Sequence, residues 1–328
     1  MTEQITVAQL TQLGMEATNA QGTKVAATDR LLSTSIVPAI KADVKTYGAS
    51  GYYFAALAAE GKESCEAKIE GGGNYNELVY PLCSLLKSVT PTGASDDKTW
   101  TFAPSSTTYE TVQTFTVEHG SALRAGRFGY GLVHDFGMDV TRDEVKVSGA
   151  MIGQLYEDNH VLSGSCAEVP QMPMLPNELC LYADTTAAGL GVTKLTRVLA
   201  ASWRISDKYA GLWALDSANT SWVTHVDKKP KGEVKLTLEA DAVGMGLLVP
   251  MRLGDSRFIR FGFLGAQHIG GTAVHYAATL DFCGKIENIG ELKDQDGVYA
   301  LEYTFGIYHD VTWAKALSLV IVNAQAAL

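Results

Sequence analysis

The sequence predicts a mainly β protein: two β-sandwich or barrel-type modules, one short helix, and an extended N-terminal arm and loop. Three observations predict it. Apolar and polar residues alternate with period two in one segment after another, which is the pattern of strands with one buried face. Among the residues after the N-terminal arm, "NYNELVYPLCSLLKSV" (74–89) has helical spacing. Strands this numerous beside a single helix argue for sandwiches or barrels. Finally, strand patterns recur between the halves. Phe115 and Val117 are followed by Val145 in "EVKV", and Trp203 and Ile205 by Val234 in "EVKL", at offsets of 88 and 89 residues. An internal duplication would produce this; so would chance, because strand patterns match easily.

Residues 1–60 are rich in Ala, Thr, Gly and Gln, and read as an arm and extended loop, with a short helix near "TVAQLTQLGMEA". "YGASGYYFAAL" (47–57) sets turn formers around the aromatics Tyr47, Tyr52, Tyr53 and Phe54, as a loop with a partner would. "CEAKIE" (65–70) opens a first module over 61–165. In the helix that follows, Leu78, Leu82, Leu85 and Leu86 share one side, Asn74 or Asn76 is placed to cap it, and Pro81 implies a late start or a kink. "VQTFTVEHG" and "DEVKVSGAMIG" alternate as strands. The Pro-rich "EVPQMPMLPNE" (168–178) marks the boundary near the start of a second module, 166–328, with strands in "ASWRIS", "GEVKLTLEAD", "RFIRFGFLG" and "VHYAATLDFCG". In "GVYALEYTFGIYHD", Tyr299, Leu301, Tyr303, Phe305 and Ile307 form one face of a candidate wall strand. Ala300, Glu302, Thr304, Gly306 and Tyr308 form the other, which is neither an ordinary solvated face nor a second core.

Lys and Arg number 26 against 36 Asp and Glu, a net charge of −10, and no basic stripe is present. This excludes tight, phosphate-driven nucleic-acid binding. "MTEQITVAQL" lacks the basic and apolar regions of a secretory signal, and "ALSLVIVNAQAAL" is too short to span a bilayer, so no membrane association is expected. Five cysteines (Cys65, Cys83, Cys166, Cys180, Cys283), without CxxC spacing, read as reduced thiols of the cytoplasm.

The chemistry-bearing residues do not assemble into a catalytic pattern. "HD" occurs at His134–Asp135 and His309–Asp310, both expected at strand ends without further ligands. Asp294, Asp296 and Glu302 lack the spacing of a calcium loop, and a hairpin turn through Asp296–Gly297 explains them better. Neither a phosphate loop nor a GxSxG elbow occurs. No catalytic residue, cofactor or metal is expected, and the chain is not read as an enzyme. A pair of carboxylates on distant strands is the form an enzyme would take here.

Several segments resemble the tail tube (major tail) proteins of long-tailed, siphovirus-like bacteriophages. They are "GMEATNAQGTKVAATDRLL" (14–32), "KESCEAKIEGGGNYNELVYPLCSLL" (62–86), "TKLTRVLAASWRIS" (193–206) and "YTFGIYHDVTWAKALSLVIVNA" (303–324). The resemblance covers most of the chain through loose strand-and-glycine patterns. It implies a structural virion protein, assembled in the host cytoplasm, whose strands join across subunits into stacked rings. Through the lumen DNA passes without specific binding. The implied partners are further copies of the chain, as a trimeric pseudo-hexameric ring or alternatively a hexameric one, together with tape measure, tail terminator and tail-tip proteins. The competing reading is a β-sandwich receptor-binding or decoration protein of a virion.

Overall fold

The computed structural model describes residues 9–93, 96–215, 220–295 and 297–328. The chain is mainly β, as its periodicity predicts. The first half runs β1 (Leu10–Met15), β2 (Asp29–Leu31), β3 (Thr34–Gly48), β4 (Ala55–Gly72), α1 (Val79–Leu85), β5 (Lys98–Phe102), β6 (Phe115–Gly120), β7 (Ala125–Val140), β8 (Val145–Gly153) and β9 (Tyr156–His160). After β10 (Ala167–Glu168) come β11 (Leu179–Asp184), β12 (Val198–Ser206), β13 (Tyr209–Leu212), β14 (Thr224–Asp227) and β15 (Lys231–Glu239). The chain closes with α2 (Ala242–Gly246), α3 (Leu248–Leu253), β16 (Arg257–His268), β17 (His275–Ile289), β18 (Lys293–Gln295), β19 (Val298–Ile307) and β20 (Leu317–Asn323).

Several expectations are corrected. The part of "TVAQLTQLGMEA" within the described residues forms β1, because it is held in ladders with both β2 and β6. Residues 34–60, expected within the arm and extended loop, instead join the predicted strand 65–70 in one long hairpin, paired from Thr34–Gly71 to Gly48–Ala55. α1 starts late, at Val79, which leaves Pro81 in the first turn where no intrahelical donor is lost. Neither asparagine caps it: the Asn74 side chain instead accepts the N–H groups of Asn76 and Met172, at 2.9 and 3.3 Å. Two further short helices, α2 and α3, lie in "AVGMGLLVP" and the residues after it, and Gly254, at φ 70°, ends the second. A glycine-broken apolar run this short carries no readable period.

The two halves repeat one strand topology, but not at the offsets of 88 and 89 residues. Trp203 and Val234 face each other across the β12–β15 ladder, whereas Phe115 and Val145 lie on strands separated by β7. The repeat is one of topology. In the first half β1 pairs with β6, β3 with β4, β4 with β8, and β7 with β6, β8 and β9. In the second half β11 pairs with β16, β12 with β15, β15 with β19, and β17 with β16, β19 and β20. All these ladders are antiparallel, and each half inserts its helical segment after the same strand, β4 or β15. A side-chain device recurs as well. Glu16 follows β1 and Asp184 ends β11, and both are buried. Each carboxylate accepts N–H groups from the turn after it, Gly22 at 2.7 Å and Gly191 at 2.9 Å. The first unit therefore begins at β1, not at residue 61, and the Pro-rich stretch before β11 links the two units.

β7 switches between layers. Its first part pairs with β6 and β9, and its second with β8 and β12. The crease lies at Gly129–Tyr130–Gly131, where Tyr130 takes φ 54° and gives its N–H to Glu16 at 2.8 Å. A Cβ on Gly131 would lie 2.7 Å from the Phe115 carbonyl oxygen, so glycine is required there. The glycines of "GYGLVH" thus serve a bend. One apolar core runs through both units, with Trp203 against Phe136 of the first and Phe282 of the second, ring centroids 6.0 and 5.7 Å apart.

Candidate assembly surface

The two units join edge to edge. β7 and β12 form an antiparallel ladder, Phe136–Val140 against Ala201–Ile205. The result is one continuous sheet in the order β3–β4–β8–β7–β12–β15–β19–β17, in which the last strand of one unit pairs with the first of the next. The same two edges are open at the ends of this sheet. β3, the counterpart of β12, forms a ladder with β4 alone among the described strands, although its Ile36 N–H donates to the Thr11 hydroxyl of β1 at 3.3 Å. On β17, the counterpart of β7, residues 285–289 pair with β19 on one side and with no described strand on the other. The chain therefore carries both halves of a junction that it makes once internally.

The β3–β4 hairpin also projects. From Ala39 to Gly48 every residue is exposed, a reach of about 30 Å at the rise of a β-strand. Neither face of this stretch has enough large apolar residues to found a core. At its tip Tyr52, Tyr53 and Phe54 are 73, 102 and 87 % exposed, and Tyr47 on the shaft is 55 % exposed. Its base is braced: Glu63 N–H donates to the Thr220 carbonyl at 2.9 Å, and the Lys62 ammonium stands 4.9 Å from the Trp213 ring centroid.

The solvent face of the large sheet is charged, and five of its cations sit beside carboxylates. Lys41 pairs with Glu66 at 3.4 Å, Arg204 with Asp135 at 2.8 Å and Lys235 with Glu233 at 2.7 Å, while Lys68 pairs with Glu70 and Lys146 with Glu144. The hydrogen bond to Glu233 raises the Lys235 pKa above its ordinary value; burial opposes this, and the charges of Glu233, Glu302 and Asp139 add to it.

On the candidate wall strand, Leu301, Tyr303 and Phe305 are buried, Ile307 is half-buried, and Tyr299 is 69 % exposed. On the opposite face Ala300, Thr304 and Gly306 are buried and Glu302 is exposed. Tyr308 donates to Glu287 at 2.6 Å. The structure does not bring the hairpin aromatics and this strand together within one chain.

Of the histidine–aspartate pairs, His309–Asp310 follows the end of β19. His134–Asp135 does not lie at a strand end: it sits inside β7 at a bulge, with Asp135 engaged by Arg204. Asp294 accepts the Gly297 N–H at 2.8 Å as a turn residue, and Asp296 lies outside the described residues. Among the described residues no three His, Cys, Asp or Glu side chains are grouped to hold a metal ion. All five cysteines are free, with Cys65, Cys83 and Cys283 buried. Burial raises the Cys65 and Cys83 thiols to about 12. No helix among the described residues is long and apolar enough to cross a membrane.

The open β17 edge is the feature that sequence reasoning missed. A faint signal existed, since "TKVAATDRLLSTSI" (23–36) and "TKLTRVLAASWRI" (193–205) share a Thr-Lys start and a Thr-Arg or Asp-Arg step before an apolar strand. No protein-family model matches the chain, and a search of curated proteins finds no match.

Proposed function

We propose that this chain is the subunit of a self-assembling tube, the tail tube of a long-tailed bacteriophage, built as stacked rings through which DNA passes into the host. The observation that carries this reading is the repeated junction. The internal β7–β12 ladder is a worked example of the contact that the open edges of β17 and β3 can make between copies. The contact is heterologous, so repeating it closes a ring or extends a filament. Closure removes two sheet edges that would otherwise template aggregation. With two units per chain, three chains supply six units to a ring, and the trimeric ring is favoured over a hexameric one. The projecting hairpin, with Tyr47, Tyr52, Tyr53 and Phe54, then reaches beyond its own ring to the next. The bare charged face of the sheet, including Glu302 of the wall strand, lines the lumen. With five of its cations paired to neighbouring carboxylates, it offers DNA few of the phosphate contacts that release counterions and hold DNA in place. Tape measure, terminator and tail-tip proteins would be its neighbours along the tail.

Cysteine cross-linking tests the ring contact. Val37→Cys with Glu287→Cys places one thiol on each open edge. Under oxidation the double variant is expected to form a closed oligomer, and each single variant is expected not to. Electron micrographs of concentrated protein are expected to show hollow, evenly striated tubes, and image averaging then counts the chains per ring. A small oligomer without tubes would instead favour a receptor-binding or decoration protein.

A further inference from the structure

We propose a transition-metal site at the end of the β16–β17 hairpin, formed by His268 and His275. It would take a borderline divalent ion such as Cu²⁺, Ni²⁺ or Zn²⁺.

The two histidines are direct partners across the antiparallel ladder, His268 opposite His275, just before the turn closed by the Ile269 N–H to Val274 carbonyl bond at 2.8 Å. Cβ atoms of opposed residues in such a pair lie about 5 Å apart, which lets two imidazoles converge on one ion. The ring centroids are 4.1 Å apart, so the side chains are already together. The second observation concerns the tautomer. His275 Nδ1 lies 2.8 Å from the Gly265 carbonyl oxygen, an acceptor only, which assigns the proton to Nδ1 and leaves the Nε2 lone pair free. Metal-bound histidines are habitually oriented by a hydrogen bond of this kind from the other ring nitrogen. The register slips between Leu264 and His268, and this irregularity carries the Gly265 carbonyl that orients the ring.

The surroundings favour a cation. Glu178 accepts the Ala266 N–H at 3.2 Å, two residues from His268, and the Asp96 carboxylate stands beside Gly270 in the turn. His268 is exposed and His275 half-buried, so water can fill the remaining positions on the ion. Imidazole pairs suit Cu²⁺, Ni²⁺ and Zn²⁺, and affinity is expected to peak at Cu²⁺. A bound ion would clamp the two strands at their open end.

Calorimetric titration of the untagged full chain with CuCl₂, in a buffer that does not bind metal, tests this. One equivalent is expected to bind. His268→Ala and His275→Ala are each expected to weaken it at least tenfold, and His309→Ala, which changes an exposed histidine elsewhere, is expected to leave it unchanged. Electron paramagnetic resonance of the wild-type complex is expected to show coupling to two imidazole nitrogens. Undiminished binding in His268→Ala, or an equal loss in His309→Ala, would overturn the assignment. His268 is exposed, so its variant decides the question even if His275→Ala folds poorly.

Discussion

Arg204 Nε lies 2.8 Å from Asp135 Oδ1 across the ladder that joins β7 to β12. This ion pair straddles the seam between the two repeated units. Arg204 also donates to Ser148 on β8 at 3.3 Å, which spreads its charge over three strands. Arg204 is nearly half exposed, so the pair contributes little to stability. Arg204→Ala should cost no more than about 1 kcal/mol in urea unfolding. A loss several times larger would mean that the seam depends on this pair rather than on the apolar packing beneath it.

Trp203 lies under the same seam, 1 % exposed, between Phe136 and Phe282. Trp203→Ala should cost about 3–5 kcal/mol, the usual range for emptying an aromatic site in a core. One core serves both units, so near- and far-ultraviolet circular dichroism should report a single unfolding transition. Two separated transitions would show that the units fold independently.

The hairpin tip should matter for assembly and hardly at all for folding. Replacing Tyr52, Tyr53 and Phe54 together by Ser removes side chains that touch little within the chain. The melting temperature of the subunit is expected to stay within about 2 °C, while sedimentation and electron microscopy show loss of tubes. Tubes of normal length from the triple variant would remove the hairpin from the stacking contact.

Glu118 gives the fold a defined acid limb. Burial pushes its carboxyl pKa up. The N–H of Ser163 at 2.8 Å, His160 at 3.0 Å and the Ser163 hydroxyl at 2.9 Å outweigh that and hold it below the ordinary value. A carboxyl lowered in the folded state stabilises fully above its unfolded pKa, about 4.3 for glutamate, and that stability is lost as pH falls through the folded value. Glu118→Gln should therefore be destabilising at pH 7, and the deficit should shrink below about pH 4. Urea unfolding at pH 7, 5 and 3 checks this, and a deficit independent of pH would refute it.

The β class was legible in the residues alone, because period-two alternation leaves strands such as β8 and β15 only one way to bury Val145, Val147 and Met151, or Val234, Leu236 and Leu238. Pro81 left α1 a late start or a kink, of which the fold takes the first, and the exposure of Tyr52, Tyr53 and Phe54 was legible too, since residues 39–63 offer no face rich enough in large apolar side chains to bury. Tertiary structure decided which strands pair. A ladder partner such as β20 for β5, more than 200 residues away, leaves no mark in local periodicity. That is why local patterns suggest a repeat at 88 residues, whereas Leu10 of β1 and Leu179 of β11, its true counterparts in topology, lie 169 apart. Tertiary contacts also turned Asn74 from a helix cap into a tether for Met172, and placed His134 in a bulge rather than at a strand end. Above all they left one edge of β3 and one edge of the end of β17 without a ladder partner among the described strands. An open edge is defined by what fails to pair with it, and only the complete arrangement of strands can show that.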